Sequence, residues 1–73
     1  VDLLVKNGDL TIKSYQSEIS SIEVYDVLGK LIFTKSGINS KQFNTNEITA
    51  NNQALIVKIQ LENGEVVVKK TIL

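Results

Sequence analysis

Eight lysines, eight carboxylates, two tyrosines and scattered Ser and Thr hydroxyls are the groups in this 73-residue chain that could do chemistry. His and Cys are both absent. Nucleophilic catalysis would therefore need a hydroxyl activated by a lysine, because a nucleophile works only beside a base. Neighbours such as Lys13-Ser14 and Lys35-Ser36 are candidates for such a pair, yet each reads as ordinary surface sequence. Two carboxylates could do acid–base work, but the acids are spread over turn-like and solvent-facing positions and read as solvated charge. Without imidazole or thiolate there is no zinc-type ligand set. The acids lack the spacing of a calcium loop, and no Gly-rich phosphate loop or dinucleotide fingerprint is present. The expectation is a domain that is not an enzyme and that uses neither cofactor nor metal.

The elements that position these groups must be mostly strands. Val, Ile and Thr make up 22 of the 73 residues. Such β-branched side chains lose rotamer freedom in a helix and pack well on a pleated surface. Hydrophobic content of 42% against 22% charge argues for a folded domain over a disordered one. A chain of this length buries only about 60% of its unfolded surface, so its margin of stability is small. The net charge is zero and Arg is absent, which excludes the basic face of a nucleic-acid binder. No apolar run approaches the roughly 20 residues that span a bilayer. The chain starts at Val1 without Met and shows no signal peptide. The expectation is that residues 1–73 are one domain, a fragment of a larger secreted protein.

Asn7-Gly8 lies between Leu3-Leu4-Val5 and Leu10-Thr11-Ile12. A two-residue turn there sets Lys6 across from Asp9, Val5 across from Leu10 and Leu3 across from Ile12, with the apolar pairs on one face. Ser14 to Ser21 is polar and reads as a loop or loosely held crossover. Ile22 to Tyr25 alternates as a strand. Asp26 to Lys30 reads as a type I turn with Gly29 at positive φ in a G1 bulge, and Leu31-Ile32-Phe33 returns from it, ending near Ser36-Gly37. Asp26 suits the first turn position because its carboxylate can accept backbone N–H groups just downstream. Lys41 to Thr45 fits a short edge strand with Phe43 inward. Asn44 to Gln53 carries Ile48 as its apolar anchor and has room for one helical turn.

The strongest local signal is Asn63-Gly64 between two apolar runs near the end of the chain. A two-residue type I′ turn pairs Leu61 with Val66, Ile59 with Val68, Val57 with Lys70 and Leu55 with Ile72, and puts Lys69-Lys70 near the hairpin's tip. That register also sets Lys58 opposite Lys69 and Glu62 opposite Glu65. Such like-charge pairs are unfavourable, so either a bulge shifts the far end or the charges splay in water. About seven short strands joined by tight turns predict an all-β fold, a small antiparallel immunoglobulin-like β-sandwich. The expected core is Leu3, Val5, Leu10, Ile12, Ile22, Val24, Ile32, Phe43, Val57, Ile59, Leu61, Val66 and Ile72.

Several blocks resemble a known family. Val24-Tyr25-Asp26 with Gly29-Lys30 is similar to the "V-Y-D-x-x-G-K/R" block of type IX secretion system C-terminal sorting domains of Bacteroidota, also called Por secretion tails. Val57-Lys58-Ile59, then Gly64 and Val66, then Lys69-Lys70, resemble that family's closing blocks, in the family's order. The resemblance spans roughly Leu10 to Leu73. Gln53 and Leu55 stand where common members have Gly and Tyr, and the "N-P" opening is missing, so the wording is closer to the type C variant than to type A.

The resemblance implies a small β-sandwich that closes a secreted cargo, crosses the periplasm and is read by the outer-membrane translocon. In many members a sortase-like peptidase then removes it and attaches the cargo to the cell surface. Implied partners are that translocon, its peptidase and the cargo domains on the N-terminal side, without nucleic acid or a membrane span. Exposed strand edges also permit a weak dimer. Carried over by position, the recognition residues are Tyr25, Asp26, Gly29, Lys30, Val57, Lys58, Ile59, Gly64, Val66, Lys69 and Lys70. Main-chain pairing along an exposed edge strand, with Lys69 and Lys70 meeting an acidic patch, is one way to read such a tail. The rival function is an adhesion or carbohydrate-binding β-sandwich, with Tyr15, Tyr25, Phe33 and Phe43 as its available aromatics. A spacer without a partner is the third.

Overall fold

The structure is a computed structural model and describes residues 1–48 and 52–73. Seven strands run in chain order: β1 (Asp2–Lys6), β2 (Asp9–Lys13), β3 (Ile19–Asp26), β4 (Leu31–Ser40), β5 (Gln42–Thr45), β6 (Ala54–Leu61) and β7 (Val66–Ile72). They form two antiparallel sheets, one ordered β1-β2-β5 and the other β4-β3-β6-β7. The chain is therefore all-β, a small sandwich of a three-stranded and a four-stranded sheet. Leu10 and Ile12 of β2 meet Ile19, Ile22 and Val24 of β3 and Leu55, Val57, Ile59 and Leu61 of β6 in the interior. Ile48 closes that core as an anchor, only 6% exposed. Residues 46–48, 52 and 53 hold no helix, and the rest of the expected helical turn lies outside the described residues.

The first hairpin has the register its sequence dictates: Lys6↔Asp9, Val5↔Leu10 and Leu3↔Ile12. Asn7 and Gly8 both take left-handed backbone, φ 53° and 83°, which a type I′ turn requires at both central positions. The turn after β3 is also as expected. Gly29 N–H donates to the Asp26 carbonyl at 3.1 Å, Asp26 N–H donates to the Lys30 carbonyl at 2.9 Å, and Gly29 has φ 87°. The Asp26 carboxylate accepts the N–H groups of Leu28 and Lys30, each at 2.9 Å.

The last hairpin departs from the expected register. Gly64 N–H donates to the Leu61 carbonyl and Leu61 N–H to the Glu65 carbonyl, so this turn repeats the type I plus G1-bulge geometry of Asp26–Lys30. Gly64 has φ 90°, whereas Asn63 is not left-handed and accepts the Glu65 N–H on its own side chain. The extra loop residue moves the pairing by one, to Gln60↔Val66, Ile59↔Val67, Lys58↔Val68, Val57↔Lys69, Ile56↔Lys70, Leu55↔Thr71 and Ala54↔Ile72. A one-residue slip turns every side chain to the other face. Val67 thus faces the core, while Val66 and Ile72, expected inside, are 46% and 66% exposed. Lys58 no longer opposes Lys69, which relieves the like-charge clash. Lys69-Lys70 lie midway along β7 and not near its turn.

Other boundaries moved through irregular pairing. β3 begins at Ile19, so the loop is confined to residues 14–18. Between Ile19 and Ser21 the register shifts on both flanks of β3, which lets Ile19 and Ile22 both point inward across a three-residue spacing. β4 continues past Gly37 to Ser40, with Gly37 at φ 67° and Asn39 at φ 50°. A second shift between Val24 and Tyr25 takes Ile32 out of the ladder, and Ile32 is exposed, not core. Val5, also expected inside, is likewise exposed at its end of the short sheet. Phe43 packs inward as expected, 6.5 Å from Phe33 between ring centroids.

Candidate interaction surface

Residues directly across a ladder share a face, so the registers map the outward surface of the four-stranded sheet. One row runs Leu31, Tyr25, Ile56, Lys70, with Ala54 and Ile72 beside it. The next row runs Thr34, Glu23, Lys58, Val68, and the third runs Ser36, Ser21, Gln60, Val66. Leu31, Val66, Val68 and Ile72 are exposed, and Tyr25 and Ile56 are half-buried among them. Glu23 and Lys58 form a 4.0 Å ion pair in the middle of the sheet. Lys70 has no carboxylate in its row. Desolvation on this face, and then the neighbouring Glu23 carboxylate, raise the Tyr25 phenol above its ordinary pKa.

The candidate recognition residues fall into four environments. Tyr25, Lys58, Val66 and Lys70 share this outward face. Asp26, Gly29 and Lys30 build the turn between β3 and β4, and Gly64 builds the turn between β6 and β7; their arrangement is turn chemistry at opposite ends of the sheet. Val57 and Ile59 are fully buried and hold the core. Lys69 lies opposite Val57 on the inward side of β7, at the open margin of the sandwich. The sequence reading missed Leu31, Ile56, Val68 and Ile72 as surface residues. The run Val66-Val67-Val68 held the signal, since three consecutive valines must put at least one outside in either register.

β7 is an edge strand. Leu61 N–H bonds to Glu65 and Leu73 N–H bonds to Gln53. Antiparallel ladders alternate hydrogen-bonded and non-bonded pairs, so Val67, Lys69 and Thr71 bond back to β6. The N–H and C=O groups of Val66, Val68, Lys70 and Ile72 consequently point to solvent along the edge.

Ser14 is buried and its Oγ donates to the Ser17 carbonyl. Lys35 and Ser36 are consecutive in β4 and project to opposite faces. Among the described residues no three acids cluster in a metal-holding arrangement. A cleft of about 300 Å³ lies at the sandwich end lined by Ser14, Tyr15, Gln16, Leu61, Asn63 and Glu65. There the exposed Tyr15 hydroxyl donates to the Asp2 carboxylate at 2.9 Å, and that bond and charge raise its pKa. The aromatics form no common platform. Tyr15 sits in the loop before β3, Tyr25 on the outward face, and Phe33 and Phe43 pack against the core. No described helix is long and apolar enough to cross a membrane.

Comparison with known proteins adds one finding. Residues 1–73 match the family described as Domain of unknown function (DUF8694). The chain belongs to this family. The match covers the whole sandwich, including the outward face and the β7 edge. No curated protein matches the chain.

Proposed function

We propose that this domain is a non-enzymatic sorting label that directs a secreted cargo through the type IX outer-membrane translocon, followed by cleavage and attachment at the cell surface. The observation that carries the reading is the outward face ending at β7. Tyr25, Lys58, Val66 and Lys70, from separate motif blocks, lie on one face that terminates in an open strand. A rigid sandwich that displays such a strand suits recognition by a partner more than chemistry on a small molecule. The ordered resemblance to the sorting-domain blocks supplies the export pathway. An adhesion module would gain from a stacked aromatic surface, and the scattered aromatics do not favour it.

The test is export of a reporter. Residues 1–73 are fused behind a fluorescent protein that carries a periplasmic signal, in a Bacteroidota host with an intact type IX translocon. The fluorescence is expected outside the cell or on its surface, and inside the periplasm when the translocon gene is deleted. Retention in the periplasm of the intact host would refute the reading.

A further inference from the structure

Among the described residues, the four-stranded and three-stranded sheets leave four open edges: β4, β7, β1 and β5. Three are poor templates. β1 has 5 residues and β5 has 4. β4 is broken by two register shifts and by left-handed backbone at Gly37 and Asn39. β7 pairs with β6 over seven consecutive positions without a shift, so its outer edge presents an even row of free backbone groups. The residues that present them are Val66, Val68, Lys70 and Ile72, and the three aliphatic side chains among them also make the apolar margin of the outward face.

The geometry points to β7 as the site where an extended acidic segment of a partner protein adds as an antiparallel strand. This deepens the reading above and rests on it for the existence of a partner. Side chains of the added strand directly across from β7 fall on the same faces. Across from Val66, Val68 and Ile72 they meet exposed aliphatic groups, which suits Val or Ile. Across from Lys69 and Lys70 they meet two adjacent cations without an acid opposite, which suits two consecutive carboxylates. In antiparallel order the segment reads Val-Thr-Glu-Glu-Val-Thr-Val, with both glutamates facing the lysines. A second copy of this chain fits badly. Full overlap of β7 with β7 sets Lys69 against Lys69 and gathers four lysines at the junction, and edge lysines are a known block to self-pairing.

The experiment uses the 73-residue domain and that heptapeptide with acetylated and amidated ends, followed by amide exchange and by titration. Binding is expected to protect the N–H groups of Val68 and Lys70, which point away from β6 in the free protein. Changing Lys69→Glu and Lys70→Glu together is expected to weaken binding at least about tenfold. A Val-Thr-Lys-Lys-Val-Thr-Val peptide is expected to rescue that variant. N-methylation of the peptide residue across from Val68 removes a donor aimed at β7 and is expected to abolish binding. N-methylation across from Lys69, whose N–H points away, is expected to be tolerated. Binding of the lysine peptide to the unaltered domain, equal tolerance of both N-methyl peptides, or no protection of Val68 and Lys70 would overturn the proposal. So would concentration-dependent protection of the same amides without peptide, which would show that the occupant is a second copy. Peptide binding without export of the reporter would remove only the export reading. Export unaffected by the double lysine change would remove only the strand-addition reading.

Discussion

On the outside of the three-stranded sheet, Asp2 lies across from Lys13, Lys6 across from Asp9, and Thr11 between Leu4 and Asn44. On the outside of the four-stranded sheet, Tyr25 lies between Leu31 and Ile56, and Val68 lies beside Lys58. Both are solvent faces of one sandwich with the same period-two backbone. The first is a row of opposite charges with one aliphatic residue, which is how a sheet meets water. The second shows a patch of aliphatic groups with an uncompensated lysine at its margin. Exposed apolar residues are ordinary singly, and a contiguous set of them marks a surface that meets something other than water. Within one small domain the polar face is the internal control for the apolar one.

The most forceful way to break this comparison is to ask whether the outward aliphatic residues are packed after all. Ile59→Ala in the core is expected to cost about 2–5 kcal/mol by chemical denaturation, enough to unfold much of a domain this size. Val68→Thr, on the neighbouring strand, is expected to stay within about 0.5 kcal/mol of the unaltered protein. A core-sized loss at Val68 would show that the outward face contributes to stability and would remove its freedom to bind.

The two G1-bulge turns sharpen the picture next. Gly29 and Gly64 both hold positive φ, and a Cβ added at either meets nothing within 4 Å. Gly29→Ala and Gly64→Ala are therefore expected to cost about 1–2 kcal/mol each, from backbone strain alone. A much larger loss at Gly64 would mean that the turn of the last hairpin is built differently.

A smaller effect belongs to the ion pair in the middle of the outward face. Glu23 and Lys58 are exposed and 4.0 Å apart. Lys58→Ala is expected to cost at most about 0.5 kcal/mol, shrinking as salt is added. The smallest effect is at Tyr15. Its raised pKa means that the folded state holds the phenol proton more tightly than the unfolded chain. That contribution is complete below the unfolded value of about 10 and is lost as pH rises through the folded value. The stability difference between the domain and Tyr15→Phe is expected to narrow only above about pH 10, followed by denaturation midpoints.

The strand count, the two-layer architecture and most of the core were legible from period-two alternation and turn residues. The Asp26–Lys30 turn was legible from Asp26 and Gly29, although the shift between Val24 and Tyr25 carries Ile32 out of the core. Asn7-Gly8 was read in the right register because the charges and apolar groups flanking it fit only one pairing. Asn63-Gly64 was not, and the reason is physical. Asn-Gly suits the centre of a type I′ turn, and it equally suits the last two positions of a type I turn with Gly in the bulge. Three consecutive valines after the turn give an apolar face in either register. Only the like-charge clashes of Lys58 with Lys69 and of Glu62 with Glu65 separated the two. Ile19 was missed because a bulge at Ser20 breaks the alternation that defines a strand. The apolar outward patch was hidden for the same reason as the register, since a slip of one residue decides which valines face water.

Amide exchange measured residue by residue along β7 tests the central claim most directly, because the register and the open edge both depend on it. In the dilute domain the N–H groups of Val67, Lys69 and Thr71 should exchange slowly, and those of Val68 and Lys70 should exchange fast. Slow exchange at Val68 and Lys70 with fast exchange at Lys69 would put the other side of the strand against β6, and with it the whole assignment of faces.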